Sequence, residues 1–184
     1  MDAMSTQKTV LQEAGTVEES SLRLDVEKAE QIIDALNTDL AATYTFYHQI
    51  RKHHWNVEGA EFRDLHIFLG EAAEELEEAA DELAERVQAL GGVPHASMGT
   101  LESTATVEPE DEDVYDIRTS LENDMAMYGD VIETARGHIE LTEGLGDHAS
   151  AQMLREQLID LEDHAHHIEH YLEDDTLVTE AAME

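Results

Sequence analysis

Four residues in one stretch of the chain have the types and spacings of a metal site. His54 and His66 offer imidazole nitrogens, and Asp81 and Glu85 offer carboxylates one helical turn apart. The stretch from His53 to Gly92 that holds them reads as two histidines flanking a tight break, then one long helix with an almost wholly carboxylate polar face. A helix rises about 1.5 Å per residue, so His66 and Asp81 lie roughly 22 Å apart on a straight one. One metal ion cannot reach both. If the four residues share a site, a second copy of the helix must run antiparallel to the first and supply the carboxylates. That predicts a symmetric dimer with two sites at its interface.

The elements that must position these residues are long amphipathic helices. The first is expected from about Asp25, a plausible N-cap, to Trp55, with Val26, Ala29, Ile33, Leu36, Leu40, Tyr44, Tyr47 and Ile50 as its apolar stripe. The second is expected from about Ala60 to Leu90, stopped by Gly91-Gly92 and Pro94. Residues 91–109 form a long crossover with a short helix near Thr100–Ser103. A third helix is expected from Glu110 to Glu143, with Val114 and Ile117 inward, and a fourth from Asp147 to about Glu173. The pattern is all-α: four helices with one long link between the second and third, which resembles the up-down-down-up bundle of the ferritin type. Residues 1–24 read as a flexible tail, 25–173 as the bundle and 174–184 as an acidic tail.

Charge narrows the function classes. Asp and Glu total 44 against 10 Lys and Arg, a formal net charge of -34. The only lysines are Lys8, Lys28 and Lys52. Such an excess repels DNA phosphates and anionic lipid and attracts cations. It also suits a protein that stays hydrated in concentrated salt, so a halophilic host is expected. There is no cysteine, hence no disulfide or thiolate metal site. No long apolar run or signal-peptide pattern is present, which gives the expectation of a soluble cytoplasmic protein.

An iron site inside a single bundle needs Glu-x-x-His motifs, and none exists; the nearest is Asp163-x-x-His166. The centre of the bundle therefore reads as plain core, and the metal chemistry belongs elsewhere. The pattern His54-Trp55-Asn56-Val57, Phe62-x-x-Leu65-His66, Asp81-x-x-x-Glu85-Arg86 closely resembles the Dps family, small ferritins named for DNA protection in starved cells, and the acidity resembles its haloarchaeal members. The resemblance spans all four helices. It implies a hollow homo-dodecamer built from twofold dimers, which oxidises Fe(II) with hydrogen peroxide or dioxygen and stores ferric mineral. It further implies ferroxidase sites with His54 and His66 from one subunit and Asp81 and Glu85 from its neighbour, with Trp55 beside them. One departure matters: where the family places an Asp four residues after the second histidine, this chain has Gly70. Glu74, on the same helix, is the expected substitute.

Other acids are read in the same frame. Glu77 and Glu78, with their neighbours on the second helix, match a cavity surface that nucleates mineral, although a halophile's ordinary acidic surface accounts for each singly. Asp147 and Glu156 match acids lining a pore for iron uptake, although a helix N-terminus attracts acids anyway. The run Asp163–His170 contains His166 and His170 four residues apart. It reads either as histidines favoured by a helix C-terminus or as a secondary metal or iron-transfer site. The leading expectation is thus an iron-storing ferroxidase, an oxidoreductase acting on metal ions. The alternative is a DNA-binding nucleoid-protection protein without significant ferroxidase activity, which the missing basic patch opposes.

Overall fold

Asp25 starts the first helix because its carboxylate accepts the amide protons of Glu27 and Lys28, at 3.1 and 3.4 Å. In the computed structural model, which describes residues 9–173, helix α1 then runs over Val26–Asn56. A five-residue break follows, with Gly59 at φ +107°, before α2 spans Phe62–Ala89. The crossover holds a short α3 at Met98–Thr104, capped by Ser97. Helices α4 (Ile117–Leu145) and α5 (His148–Leu172) complete the chain, with Gly146 at φ +90° closing α4. This is an all-α ferritin-like bundle, and no strand occurs among the described residues.

The tight links make α1 and α2 one antiparallel pair and α4 and α5 the other, while α1 also packs on α4 and carries α3. Two apolar clusters fill the interior. One centres on Phe46, Ile50, Leu65, Leu69, Tyr128 and Ile168, the other on Ile32, Leu36, Leu40, Leu83, Val87 and Leu154. Phe46 and Tyr128 meet edge to face, with centroids 4.4 Å apart and planes 80° from parallel, the arrangement that aromatic quadrupoles favour. Among the described residues no helix is long and apolar enough to cross a membrane.

Three expectations change. The third long helix begins at Ile117, not Glu110: Asp116 caps it by accepting Thr119 N–H at 3.1 Å. Upstream, the Asp113 N–H bonds the Asp111 carboxylate at 3.0 Å, a local bond that competes with helix, and Val114 is exposed rather than inward. Residues 9–24 are not a free tail. Glu18 N–H donates to Gly91 O at 2.9 Å, Gln12 Nε2 donates to the same oxygen at 2.9 Å, and Val17 and Leu24 pack on the second apolar cluster. Gly91 is required there twice over, because its φ is +97° and a Cβ would lie 2.1 Å from Glu18 O. Third, the centre of the bundle is not plain core, as described below. Residues 1–8 and the acidic tail expected over 174–184 lie outside the described residues.

Candidate metal centre

The stripe of α1 carries His54 onto α2, opposite Gly70, and the first turn of α2 brings His66 to the same place. Their rings stack with centroids 3.9 Å apart and planes 17° from parallel. Each ring is oriented by the other residue's backbone: His54 Nδ1–H donates to His66 O at 2.7 Å, and His66 Nδ1–H donates to His54 O at 2.8 Å. A carbonyl can only accept, so both protons sit on Nδ1 and both Nε2 lone pairs are left for a ligand. This is the outer-shell arrangement that prepares histidine for a metal ion. Phe62 stacks on the far side of His66 at 5.1 Å, and Trp55 is 69% exposed at the end of α1.

Gly70 lies beneath His54. A Cβ there would sit 3.0 Å from His54 Cε1 and 3.1 Å from its Nδ1. The missing acid at this position therefore leaves the space that the His54 ring occupies. Glu74, one turn further on, is largely exposed, and its carboxylate faces Arg51 at 3.9 Å.

Asp81 and Glu85 are exposed on α2, one turn apart. Because α2 is unbroken from Phe62 to Ala89, they remain roughly 22 Å along its axis from His66. Among the described residues of one chain, no three His, Asp or Glu side chains converge as a metal-binding group. The structure thus brings together the two histidines and, separately, the two acids. Glu77 and Glu78 are exposed on the same helix.

Asp147, expected to line a pore, lies at the start of α5 and is engaged by its own chain. It is 7% exposed, caps α5 by accepting Ser150 N–H at 3.1 Å, and pairs with Arg86 Nη2 at 2.7 Å. Its oxygens are committed within the subunit. Glu156 is exposed and accepts Gln152 Nε2–H at 2.9 Å.

Sequence reasoning missed the polar network inside the bundle. His53 is 3% exposed, with Nδ1 2.7 Å from Asp124 and Nε2 2.6 Å from Glu110. Gln49 bonds Asp124 at 2.9 Å, and Lys52 and Asn123 hold Glu110. Burial alone works to lower the His53 pKa, but the hydrogen bonds and charges of Asp124, then Glu110, outweigh it and raise it. Burial likewise pushes Asp124 up against its bonds from His53 and Gln49. For Glu110 the opposing desolvation is overcome by Lys52, His53 and Asn123, and its pKa is lowered. Both ring nitrogens face carboxylate oxygens and a neutral imidazole has one N–H. We therefore read His53 as an imidazolium between two acids, tying α1 to α4 and to the crossover. The signal was present: Phe46, Ile50, His53 and Val57 follow the helical period of the buried face.

A second polar group lies nearby. Burial pushes the His164 pKa down against the charge of Glu75, whose carboxylate lies 3.1 Å from His164 Nε2. The Tyr128 hydroxyl, wholly buried, has no hydrogen-bond partner among the described residues.

Comparison with known proteins identifies the family. A sequence model of the Ferritin-like domain matches residues 33–178, so the chain is a ferritin-like protein in sequence as well as in fold. The "DNA protection during starvation protein" of Halobacterium salinarum is 72% identical over 98% of this chain and 100% of its own length. The crystal structure of an archaeal Dps homologue from the same organism superposes with a TM-score of 0.91, covering 97% of this chain and 99% of that one. A "nutrient stress-induced DNA-binding protein" of Nostoc is 35% identical over 95% of both chains. The Dps protein of Vibrio cholerae, 26% identical with a TM-score of 0.80 over 86% of this chain and 99% of its own, is described as a member of the ferritin-like diiron-carboxylate proteins. The chain belongs to the Dps family.

Proposed function

We propose that the protein is a ferroxidase and iron store that protects the cell by consuming Fe(II) and peroxide together. The observation that carries this reading is the reciprocal pair of Nδ1–H to carbonyl bonds that leaves the Nε2 atoms of the stacked His54 and His66 rings free. Two imidazoles bind Fe(II) but leave most of its coordination open, and carboxylates stabilise the ferric product. We assign those carboxylates to the partner subunit's Asp81 and the partner subunit's Glu85, since those of the same chain are out of reach. With Gly70 at the position of the family's acid, the partner-derived carboxylates carry more of the second position, and Glu74, one turn beyond Gly70 on α2, is the acid of the same chain proposed to assist. Two Fe(II) ions give up one electron each; hydrogen peroxide takes both electrons and two protons and leaves as two waters. Ferric ion then hydrolyses to mineral. Glu77 and Glu78 are proposed to face it inside a dodecameric shell, and Glu156 to face an uptake route.

The relatives are named for DNA protection and, in one case, DNA binding. For this chain we propose protection through chemistry: removing Fe(II) and peroxide denies them the reaction that makes radicals. A net charge of -34 supplies no electrostatic attraction to phosphates. The test is anaerobic Fe(II) loading followed by hydrogen peroxide, with ferric absorbance recorded for the native chain and for His54→Ala/His66→Ala. Rapid oxidation lost in the variant is expected. Equal, slow oxidation in both would refute the ferroxidase reading, and a low-salt gel shift by iron-free protein would refute the exclusion of DNA.

A further inference from the structure

The C-terminal half of α5 carries a second pair of histidines, with no part in the chemistry assigned above. His166 and His170 lie one helical turn apart, both exposed. Their Nε2 atoms approach to 3.1 Å, with ring centroids 4.4 Å apart. Without an ion, one Nε2–H donates to the other's lone pair. A metal ion asks for the same approach. With metal–nitrogen bonds of about 2.1 Å, nitrogens held 3.1 Å apart subtend about 95° at the ion. Tetrahedral geometry at that bond length needs about 3.4 Å, so the pair matches the cis positions of a square-planar or octahedral ion instead.

The surroundings favour the ligating tautomer. His166 Nδ1 lies 3.5 Å from Glu169 Oε2, a carboxylate placed to keep a proton on Nδ1 and leave Nε2 free. His167, between the pair in sequence, is held elsewhere: its Nδ1–H donates to Asp163 O at 2.8 Å. We propose that His166 and His170 form a bidentate surface site for a late first-row divalent ion, Cu2+ or Ni2+ by both angle and intrinsic affinity, with water completing the shell. On binding, the proton between the two Nε2 atoms passes through solvent to Nδ1 of its own ring, so both imidazoles enter neutral and no net proton is released. The site stands whether or not the ferroxidase reading does, because it uses none of the same residues.

The test uses the full chain with His54→Ala and His66→Ala, which removes the other imidazole pair. Cu2+ is added with free malonate, an oxygen-only competitor, against scattered carboxylates, and the bound ion is read by electron paramagnetic resonance. The expected result is one Cu2+ per chain with splitting from two nitrogens. His170→Ala should reduce that to one nitrogen and weaken binding on the order of 100-fold, because the second donor of a chelate acts at high effective concentration. His167→Ala should change neither. Exposed alanines favour helix, so the variants keep their fold, which circular dichroism checks. If the background variant does not assemble, the same signal is taken as the difference between the native chain and His166→Ala/His170→Ala. A spectrum unchanged by those two substitutions, or one showing oxygen donors only, overturns the proposal.

Discussion

The shared metal centre makes a quantitative prediction about mixed oligomers. One parent carries His54→Ala/His66→Ala, the other Asp81→Ala/Glu85→Ala, and each alone should oxidise Fe(II) no faster than buffer. The unbroken α2 keeps the two half-sites roughly 22 Å apart within a chain, so every complete site joins two chains. When the parents are co-expressed equally, about half of the twofold dimers contain one of each. In such a dimer one site combines native histidines with native acids and the other combines both lesions. The mixed protein should therefore recover about a quarter of native activity. The assay is the initial rise of ferric absorbance after hydrogen peroxide addition, corrected for the buffer rate, with mass spectrometry confirming co-assembly. No recovery in properly mixed oligomers would refute the intersubunit site. An active Asp81→Ala/Glu85→Ala parent would show instead that the histidines suffice.

Three further outcomes follow from particular contacts. Gly70→Asp should lower the oxidation rate rather than supply a missing ligand, because its Cβ would displace the His54 ring from 3.0 Å; steady-state kinetics checks this, and a faster enzyme would contradict it. His53→Ala should cost about 3–5 kcal/mol by leaving Asp124 buried without its cation, read by denaturant unfolding. In the native chain the His53 pKa is raised above its ordinary 6.5, so its stabilisation is full below 6.5 and lost as pH rises through the folded value. Glu110, lowered from 4.5, contributes fully above 4.5 and loses that as pH falls through its folded value, so these two groups together stabilise most between those two pH values, while Asp124, raised from 3.8 by burial, opposes them as pH rises through its own folded value. His53→Gln should flatten the alkaline decline. Finally, with a net charge of -34, raising KCl from 0.1 to 2 M should lift the melting temperature on the order of 10 °C, as for about 3 kcal/mol of relieved repulsion; an unchanged value would remove the halophilic reading.

Much of this organisation is legible in the chain because helix geometry is local. The Asp25 cap, the Gly91 stop and the spacing of His54 and His66 each act within a turn or two, and the structure brings the two histidines together. What was not legible depends on partners distant in sequence. Glu110 leaves helical conformation to reach His53 and Lys52, which shifts the start of α4 to Asp116. The residues before Asp25 look like a tail by composition, yet Glu18 finds Gly91, which only the folded chain brings near. The Gly70 departure looked like a lost ligand. In the fold it is the floor of a ring, a reason no spacing rule contains.

The same contacts are the reason we propose the metal chemistry at the surface of the subunit rather than in its middle. The interior holds acids and histidines, but they answer one another: His53 lies between Asp124 and Glu110, and His164 bonds Glu75. Both nitrogens of His53 are engaged by carboxylates, and taking either acid for a metal would strand a buried charge. At His54 and His66 the pairing runs to backbone carbonyls instead, which consume only the Nδ1 protons and leave two basic nitrogens unopposed. Of the titratable clusters in the subunit, this one is fully oriented yet not neutralised by its own chain. In the reading we propose, an acidic partner surface completes it, and Asp81 and Glu85, exposed one turn apart on α2, would present that surface on the copy that a twofold axis brings there.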